Sequence, residues 1–334
     1  MTERNEVLWG APQISDKTVG SWVVDRRDIP VARVVFDMFA LWVIPGLASF
    51  LFDVPVWMYA AYLAGRVWYL VRYTGTIHVA AHRRLFKYRV FNYFEPVASC
   101  FFGIPGGIYY THHVKMHHVG DNVLEDDDLS STMYMQRDTV GGLLKYLAFV
   151  WLRQIPYLPV SAVKHGTKGD AFYFFACMST YIYAMRVLWS FNSYATLWVF
   201  VVPSLLFPFL IFTGNYAQHL LLHPKWYING FGNTFTCVGE VNTISFNDAY
   251  HANHHLKATM HWSLHPKYLA DNMGEYGKHD SIIFKDVGGH VEVLWYVLTG
   301  NYRRLYDCWM PIDKPRSYDE FVEMIHERCR PIKP

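Results

Sequence analysis

Tyr250-His251-Ala252-Asn253-His254-His255 puts three imidazoles into five residues, and the reading of the whole chain turns on what they hold. On a helix, His254 and His255 stand three and four positions after His251, so all three fall within an arc of roughly 100° and can point into one pocket. Two further clusters lie upstream, His78-Val-Ala-Ala-His82 and His113-Val-Lys-Met-His117-His118, and His219 closes Asn215-Tyr-Ala-Gln-His219. Two, three, one and three histidines make nine. Neutral imidazole binds iron, zinc, copper and nickel, so spacing alone does not choose the metal. Number narrows the choice, because a structural zinc takes about four ligands and a catalytic zinc commonly about three. Nine clustered histidines exceed one mononuclear site and suit two metals at about four to five ligands each. A dinuclear site that keeps open positions can bind and reduce O2, which is what breaking an unactivated C–H bond demands and what zinc does not supply.

The solvent for such a site is legible in the composition. The 334 residues are 52% hydrophobic, 18% aromatic and only 17% charged, too apolar for two ordinary soluble domains. A mean hydropathy of +0.06 leaves much of the chain outside a bilayer, so a few spans are expected to carry a large cap. A net charge of +2 and a pI near 8.2 are too mild for nucleic-acid binding. The five cysteines include no C-x-x-C pair, which argues against a disulfide framework or zinc knuckle and fits a reducing compartment. Met1 to Ile29 is polar and lacks an apolar h-region, which predicts no cleavable signal peptide.

Taken in order, Val34 to Phe52 is an apolar run with one charge, Asp37, of about the length the hydrocarbon core requires. Pro45 and Gly46 are expected to bend it. After Asp53-Val-Pro, Val56 to Val71 forms a second run that holds Arg66 and ends at Arg72, and the two read as a helical hairpin. Arg66 is expected to snorkel to the inner interface, with binding of an acyl carboxylate or headgroup as the alternative. His78 and His82 then share a face of the cytoplasmic continuation of this helix. Arg83, Arg84, Lys87 and Arg89 make a basic patch that reads as attraction to anionic headgroups, or else as a dock for an acidic partner. Glu95 to Thr111, broken by Gly103, Pro105, Gly106 and Gly107, is expected to be re-entrant or interfacial. In the second box His113 and His117 share a face while His118 stands about 140° round from His113, so the box can feed two neighbouring sites.

The acidic run from Glu125 to Asp128 reads as a solvated turn with a helix N-cap. Gly141 to Val163 reads as a surface-lying amphipathic segment. Phe172 to Trp189 is expected as the third span and Tyr194 to Phe212 as the fourth, kinked by Pro203 and Pro208. The turns near Asp53 and Asn192 contain no Lys or Arg, whereas the opposite ends are rich in both, which places the boxes and both termini in the cytoplasm. His165, His223, His261, His265, His279, His290 and His326 read as surface or core residues, and His112 adjoins a box but falls outside its spacing.

With three boxes in hand, the chain resembles the integral-membrane fatty acid desaturase superfamily, whose signature is H-x3-4-H, H-x2-3-HH and H-x2-3-HH divided around two pairs of spans. The resemblance covers about Val34 to Pro266. It implies a non-haem di-iron centre with O2 as co-substrate, a four-span mushroom-like fold, and oxidation of a long fatty acyl chain. In the acyl-CoA branch an asparagine and a histidine four apart follow the last span, the histidine on metal and the asparagine reaching it through water. Asn215 and His219 match that pair in spacing and place. The final box opens with His251, unlike the glutamine of the front-end branch, and the second box has three residues between its first histidines where the acyl-CoA branch usually has two. No His-Pro-Gly-Gly haem motif is present, so electrons are expected from a separate donor of cytochrome b5 or ferredoxin type.

The expectation is therefore an all-α integral membrane protein, with four transmembrane helices and a cytoplasmic histidine-rich catalytic cap, in the endoplasmic reticulum or a bacterial inner membrane. Residues 1–33 form a cytoplasmic segment, 34–266 the membrane-embedded domain, and 267–334 a cytoplasmic tail packed on the cap. The metal ligands are His78, His82, His113, His117, His118, His219, His251, His254 and His255, with Asn215 orienting a bound water. Desaturation leads. A hydroxylase or a terminal-alkene-forming decarboxylase is the enzymatic alternative, since the paths diverge after the same first step. A metal transporter or zinc-site receptor is the remote one.

Overall fold

The computed structural model describes residues 15–123, 128–225 and 230–332. The expectations for the polar leader up to residue 14 and for Glu125, Asp126 and Asp127 lie outside them. The chain forms two compact units, each discontinuous in sequence: Met1–Lys115 with Leu158–Leu210, and Met116–Tyr157 with Ile211–Pro334.

Three helices among the described residues are long and apolar enough to cross a membrane: Arg26–Ala48, Lys168–Phe191 and Ser193–Gln218. The first begins well before Val34 because Pro30 sits at the start of its α-helical part, where a missing N–H costs nothing. Val56–His82, expected as the second span, is a single helix of 27 residues, but with Arg66 and Arg72 in its middle it is not among the three. The broken segment between the first and second boxes is short helical turns, Phe94–Ala98, Ser99–Phe102 and Ile108–His112, joined through glycines at positive φ, Gly103 and Gly107.

Arg66 neither snorkels nor offers its charge to a ligand. It is fully buried, and its guanidinium donates to the carbonyl of Phe101, to that of Val199 at 2.9 Å and to that of Trp198 at 3.2 Å, with the Tyr62 ring 4.2 Å beneath it. The reason lies in Pro203. Leu197–Val201 is a π-turn in which the N–H of Val202 reaches back to Leu197, and Pro203 has no N–H to give. The carbonyls of Trp198 and Val199 are thereby orphaned, and an orphaned carbonyl in an apolar surrounding needs a donor. Arg66 supplies it. Gly103 then comes so close to this turn that a Cβ would run into the carbonyl of Pro203. Asp37 is also buried, in the first of the three apolar helices.

The basic patch is largely occupied with its own unit. Arg83 lies 3.5 Å from the buried Asp28 carboxylate and 3.8 Å from Asp25, Arg84 donates to the carbonyls of Phe86 and Lys87, and the Lys87 ammonium donates to Ser21 O at 3.1 Å. Arg89 is the exception, exposed and without a partner among the described residues.

The second unit builds its core from Tyr146, Tyr216, Leu220, Phe235, Phe284, Val293 and Phe321 around a short parallel pair, Thr236–Val238 beside Ile283–Lys285, in register Thr236 to Ile283. Arg137, fully buried, donates to the carbonyls of Leu220 at 2.9 Å, Arg328 at 2.9 Å and Arg330 at 2.6 Å, and to three carbonyls of the loop between Thr132 and Met135. One side chain thus ties the end of the last helix, Tyr318–Cys329, to the residue that follows His219.

Candidate metal centre

In the first unit, His78, His82 and His113 come together. His78 and His82 stand one turn apart on Val56–His82, with ring centroids 5.3 Å apart, as their spacing requires. His113 approaches both, its centroid 4.5 Å from His78 and 5.0 Å from His82, and its Nε2 lies 3.0 Å from Nε2 of His82.

The second unit gathers His117, His219, His251 and His255, one ring nitrogen from each lying within 4.8 Å of all the others. Nε2 of His117 is 3.2 Å from Nε2 of His219. Bonds of about 2.0–2.1 Å to one ion would set neighbouring ligand nitrogens about 3.0–3.4 Å apart. Beside this group, Nε2 of His118 meets Nε2 of His254 at 2.7 Å.

Two expectations about the boxes are corrected. The second box divides between His113 and His117 as well as between His117 and His118: its π-turn His113–His117 leaves the first histidine with His78 and His82 and the last with His219, His251 and His255, while His118 meets His254. The third box does not aim into one pocket. His251 and His255 join the four-histidine group, while His254, between them on the short helix His251–Leu256, faces His118. An arc of roughly 100° is wide enough for neighbouring rings to part company.

What holds three of the four rings is a set of acceptors that sequence reasoning missed or misread. A ligating histidine uses its second nitrogen to donate to a carboxylate or carbonyl, which fixes the ring and its tautomer. Nδ1 of His117 lies 2.8 Å from Oδ2 of Asp128, and Nδ1 of His255 lies 3.0 Å from Oδ1 of Asp121. Nδ1 of His219 faces the carbonyl of Asn233 at 3.0 Å and its side-chain oxygen at 3.2 Å. Nδ1 of His251 faces the Gln218 amide at 3.3 Å and the Asp248 carboxylate at 3.8 Å. For His117, His219 and His255 an acceptor outside the group engages Nδ1, which leaves Nε2 to face inward; at Nδ1 of His251 the group within hydrogen-bond distance is the Gln218 NH2, itself a donor.

Asp128 corrects the solvated reading of the acidic run. It is fully buried, and its carboxylate also accepts from the N–H groups of Asn122 and Ser130 and from the Ser130 hydroxyl. Asp121 and Asn122 make the turn possible by taking left-handed backbone, with φ of 45° and 66°, a conformation Asp and Asn tolerate better than most residues. The signal that could have found Asp121 and Asp128 is their place directly after a box, given that its histidines need acceptors. Asn233 carried no signal of this kind.

The group fits a metal. Nε2 of His255 is buried with no hydrogen-bond partner among the described residues, which is costly unless an ion sits against it. Burial first, and then the neighbouring imidazoles, hold His219 and His255 well below the ordinary histidine range, so both stay neutral and able to bind a cation at pH 7. His290 donates from Nε2 to the carbonyl of Phe235 at 3.1 Å, and its ring packs 5.8 Å from that of His251. It is a buried core residue, as expected. His112 is buried and belongs to neither group.

Asn215 sits in the second unit, where its amide donates to the carbonyl of Ser130 at 3.1 Å and to the Tyr146 hydroxyl at 2.8 Å. It therefore buttresses the same loop that carries Asp128. A family model described as fatty acid desaturase matches residues 53–286, more than two thirds of the chain. No curated protein and no solved structure matches.

Proposed function

The chain belongs to the fatty acid desaturase family, and from that premise we propose that it uses O2 to introduce a C=C bond into a long fatty acyl chain at a non-haem di-iron centre. Membership makes it a membrane-associated oxidoreductase acting on fatty acyl chains at a histidine-rich metal site. The observation that carries the finer reading is the four-histidine group, three of whose members, His117, His219 and His255, have Nδ1 held by an acceptor so that Nε2 is left for a metal. Such a donor set suits iron, and bound iron would supply the one-electron chemistry that O2 reduction needs. His78, His82, His113, His117, His118, His219, His251, His254 and His255 are the proposed ligands for the two irons.

This chain's own residues orient and insulate. Asp128, Asp121 and Asn233 hold the imidazoles as neutral Nε2 donors, and burial of the group excludes bulk water. Asn215, whose NH2 is committed to Ser130 and Tyr146, keeps its side-chain oxygen as the group that orients a bound water. Electrons come from a separate protein of cytochrome b5 or ferredoxin type. Residues 34–266 form the embedded catalytic domain, flanked by cytoplasmic segments 1–33 and 267–334, in a multi-pass arrangement with the active site cytoplasmic.

Purified protein should carry about two irons per chain, and His254→Ala should lose iron and turnover together. Stoichiometric zinc without iron would overturn the di-iron assignment and favour a zinc-site receptor or transporter. Total lipids and volatile hydrocarbons from an expressing host, compared with a His251→Ala control by mass spectrometry, distinguish the reactions. A new double bond supports desaturation, an added oxygen indicates hydroxylation, and a terminal alkene one carbon shorter indicates decarboxylation. Undiminished turnover in donor-stripped membranes would refute the external donor. Tags at residues 1 and 334 should resist protease in sealed right-side-out vesicles, and cleavage of either refutes the proposed topology.

A further inference from the structure

The first unit contains a groove of about 660 Å3, within the range of small-molecule sites. One wall is apolar, from Ile77, Ala80, Ala81 and Phe94, and it continues into His82 and Tyr109. The Tyr109 ring stacks on His113 with centroids 5.2 Å apart, so of the first unit's histidine trio His82 lines the groove and His113 stands behind the ring of a lining residue. Its cations are Arg83, Arg84 and Arg89. Arg83 is paired with Asp25 and Asp28, and Arg84 has turned Nε and one terminal nitrogen onto its own loop. Arg89 is exposed and has no hydrogen-bond or ion-pair partner among the described residues.

The neighbourhood of Arg89 says where a ligand would come from. Val90, Phe91, Tyr93 and Val97 are all exposed on the turns Arg89–Tyr93 and Phe94–Ala98, an aromatic and aliphatic surface next to cations, which is the composition of a membrane interface. A small inorganic anion would use the arginines and leave the apolar wall wet. A neutral hydrocarbon would gain nothing from Arg89, which water already solvates. An amphiphile satisfies both.

We propose that this groove is a binding site for an anionic acyl amphiphile, its carboxylate or phosphate head on Arg89 and its chain lying along Ile77, Ala80, Ala81 and Phe94 past His82. The proposal rests on the acyl-oxidation reading for the identity of the chain and adds the recognition of the head. Three sources share this chemistry: a free fatty acid, an acyl-coenzyme A and a membrane phospholipid.

The test is photocrosslinking of full-length protein in phosphatidylcholine nanodiscs with one 16-carbon chain bearing a diazirine and an alkyne. The chain is presented as free acid, as coenzyme A thioester or within phosphatidylglycerol, and labelled peptides are located by mass spectrometry. Label is expected on the peptide spanning residues 77–94 from at least one of the three, and the head that labels most efficiently names the source. Arg89→Glu should cut that label about tenfold, and Arg89→Lys should retain most of it. Arg89→Gln, which adds no negative charge, should fall between them and guards against an effect of misfolding, with elution volume and helical content as the check. Label confined to other peptides, or equal label in wild type and Arg89→Glu, overturns the site. If the groove is labelled as expected but the iron-loaded protein, supplied with electrons, leaves the chain unoxidised, the site stands and the catalytic reading falls.

Discussion

Replacing Asp128 with asparagine should loosen the metal without dismantling the loop that carries it. The carboxylate accepts four hydrogen bonds: from Nδ1 of His117 at 2.8 Å, the N–H of Asn122 at 3.0 Å, the N–H of Ser130 at 2.9 Å and the Ser130 hydroxyl at 2.6 Å. An amide has one acceptor oxygen, so its NH2 must face two of these donors whichever way it turns. Facing Ser130 is the cheaper choice, because the hydroxyl can rotate to accept and only one N–H is left unanswered. The cost is then about one bond to a charged acceptor, about 1.5–3 kcal/mol, with no solvent to replace it at a fully buried site. The His117 ring also loses the anion that fixes its tautomer and raises its basicity, a change that typically costs about 10–100-fold in metal affinity. That is about 1.4–2.7 kcal/mol, the same scale as the lost bond. Asp121→Asn is the internal comparison: Asp121 makes the same kind of contact to His255, but its side chain is 42% exposed and water can substitute, so its loss should stay below about tenfold. The assay is competition of each variant with a calibrated chelator, with bound iron counted by elemental analysis. Unchanged affinity in Asp128→Asn, or a larger loss in Asp121→Asn, refutes the claim that the buried carboxylate orients His117.

Arg66→Met should lower stability by about 2–4 kcal/mol, read as a lower unfolding temperature in detergent, because the carbonyls left by Pro203 lose their donor; an unchanged temperature would show that the π-turn satisfies itself. Gly103→Ala meets both a positive φ of 69° and the Pro203 carbonyl, so it should impair folding more than Gly141→Ala, where a Cβ meets nothing. Burial pushes the Glu95 carboxyl up to about 7. Between the ordinary carboxylate range and pH 7 the unfolded chain has released this proton while the folded one keeps it. Stability should therefore fall as pH rises through that window, and Glu95→Gln should lack this component of the slope.

The histidine pattern and the apolar runs were legible in the sequence because both are local: helix periodicity fixes which histidines can share a turn, and run length decides which helices are long enough for a bilayer. The metal-binding character of the chain and its family followed from those two features. How the boxes divide was not legible. His254 and His255 are adjacent on one short helix, yet one faces His118 and the other joins His117, His219 and His251, a choice made by what packs opposite rather than by spacing. Asp128 looked solvated because composition reports charge and not burial, and its acceptor role exists only once the left-handed turn at Asp121 and Asn122 has brought it under His117. Arg66 was misread for a similar reason. In one dimension it is a charge close to the Arg72 end of an apolar run, and snorkelling is the inexpensive answer. In three dimensions the carbonyls that Pro203 leaves without donors lie against it, and a buried guanidinium with several N–H groups satisfies them better than water at the interface could. Local rules determine which elements form and what chemistry their residues can perform. Which donor meets which acceptor is decided by contacts between residues far apart in the chain, whose energies arise only when tertiary packing removes water from both.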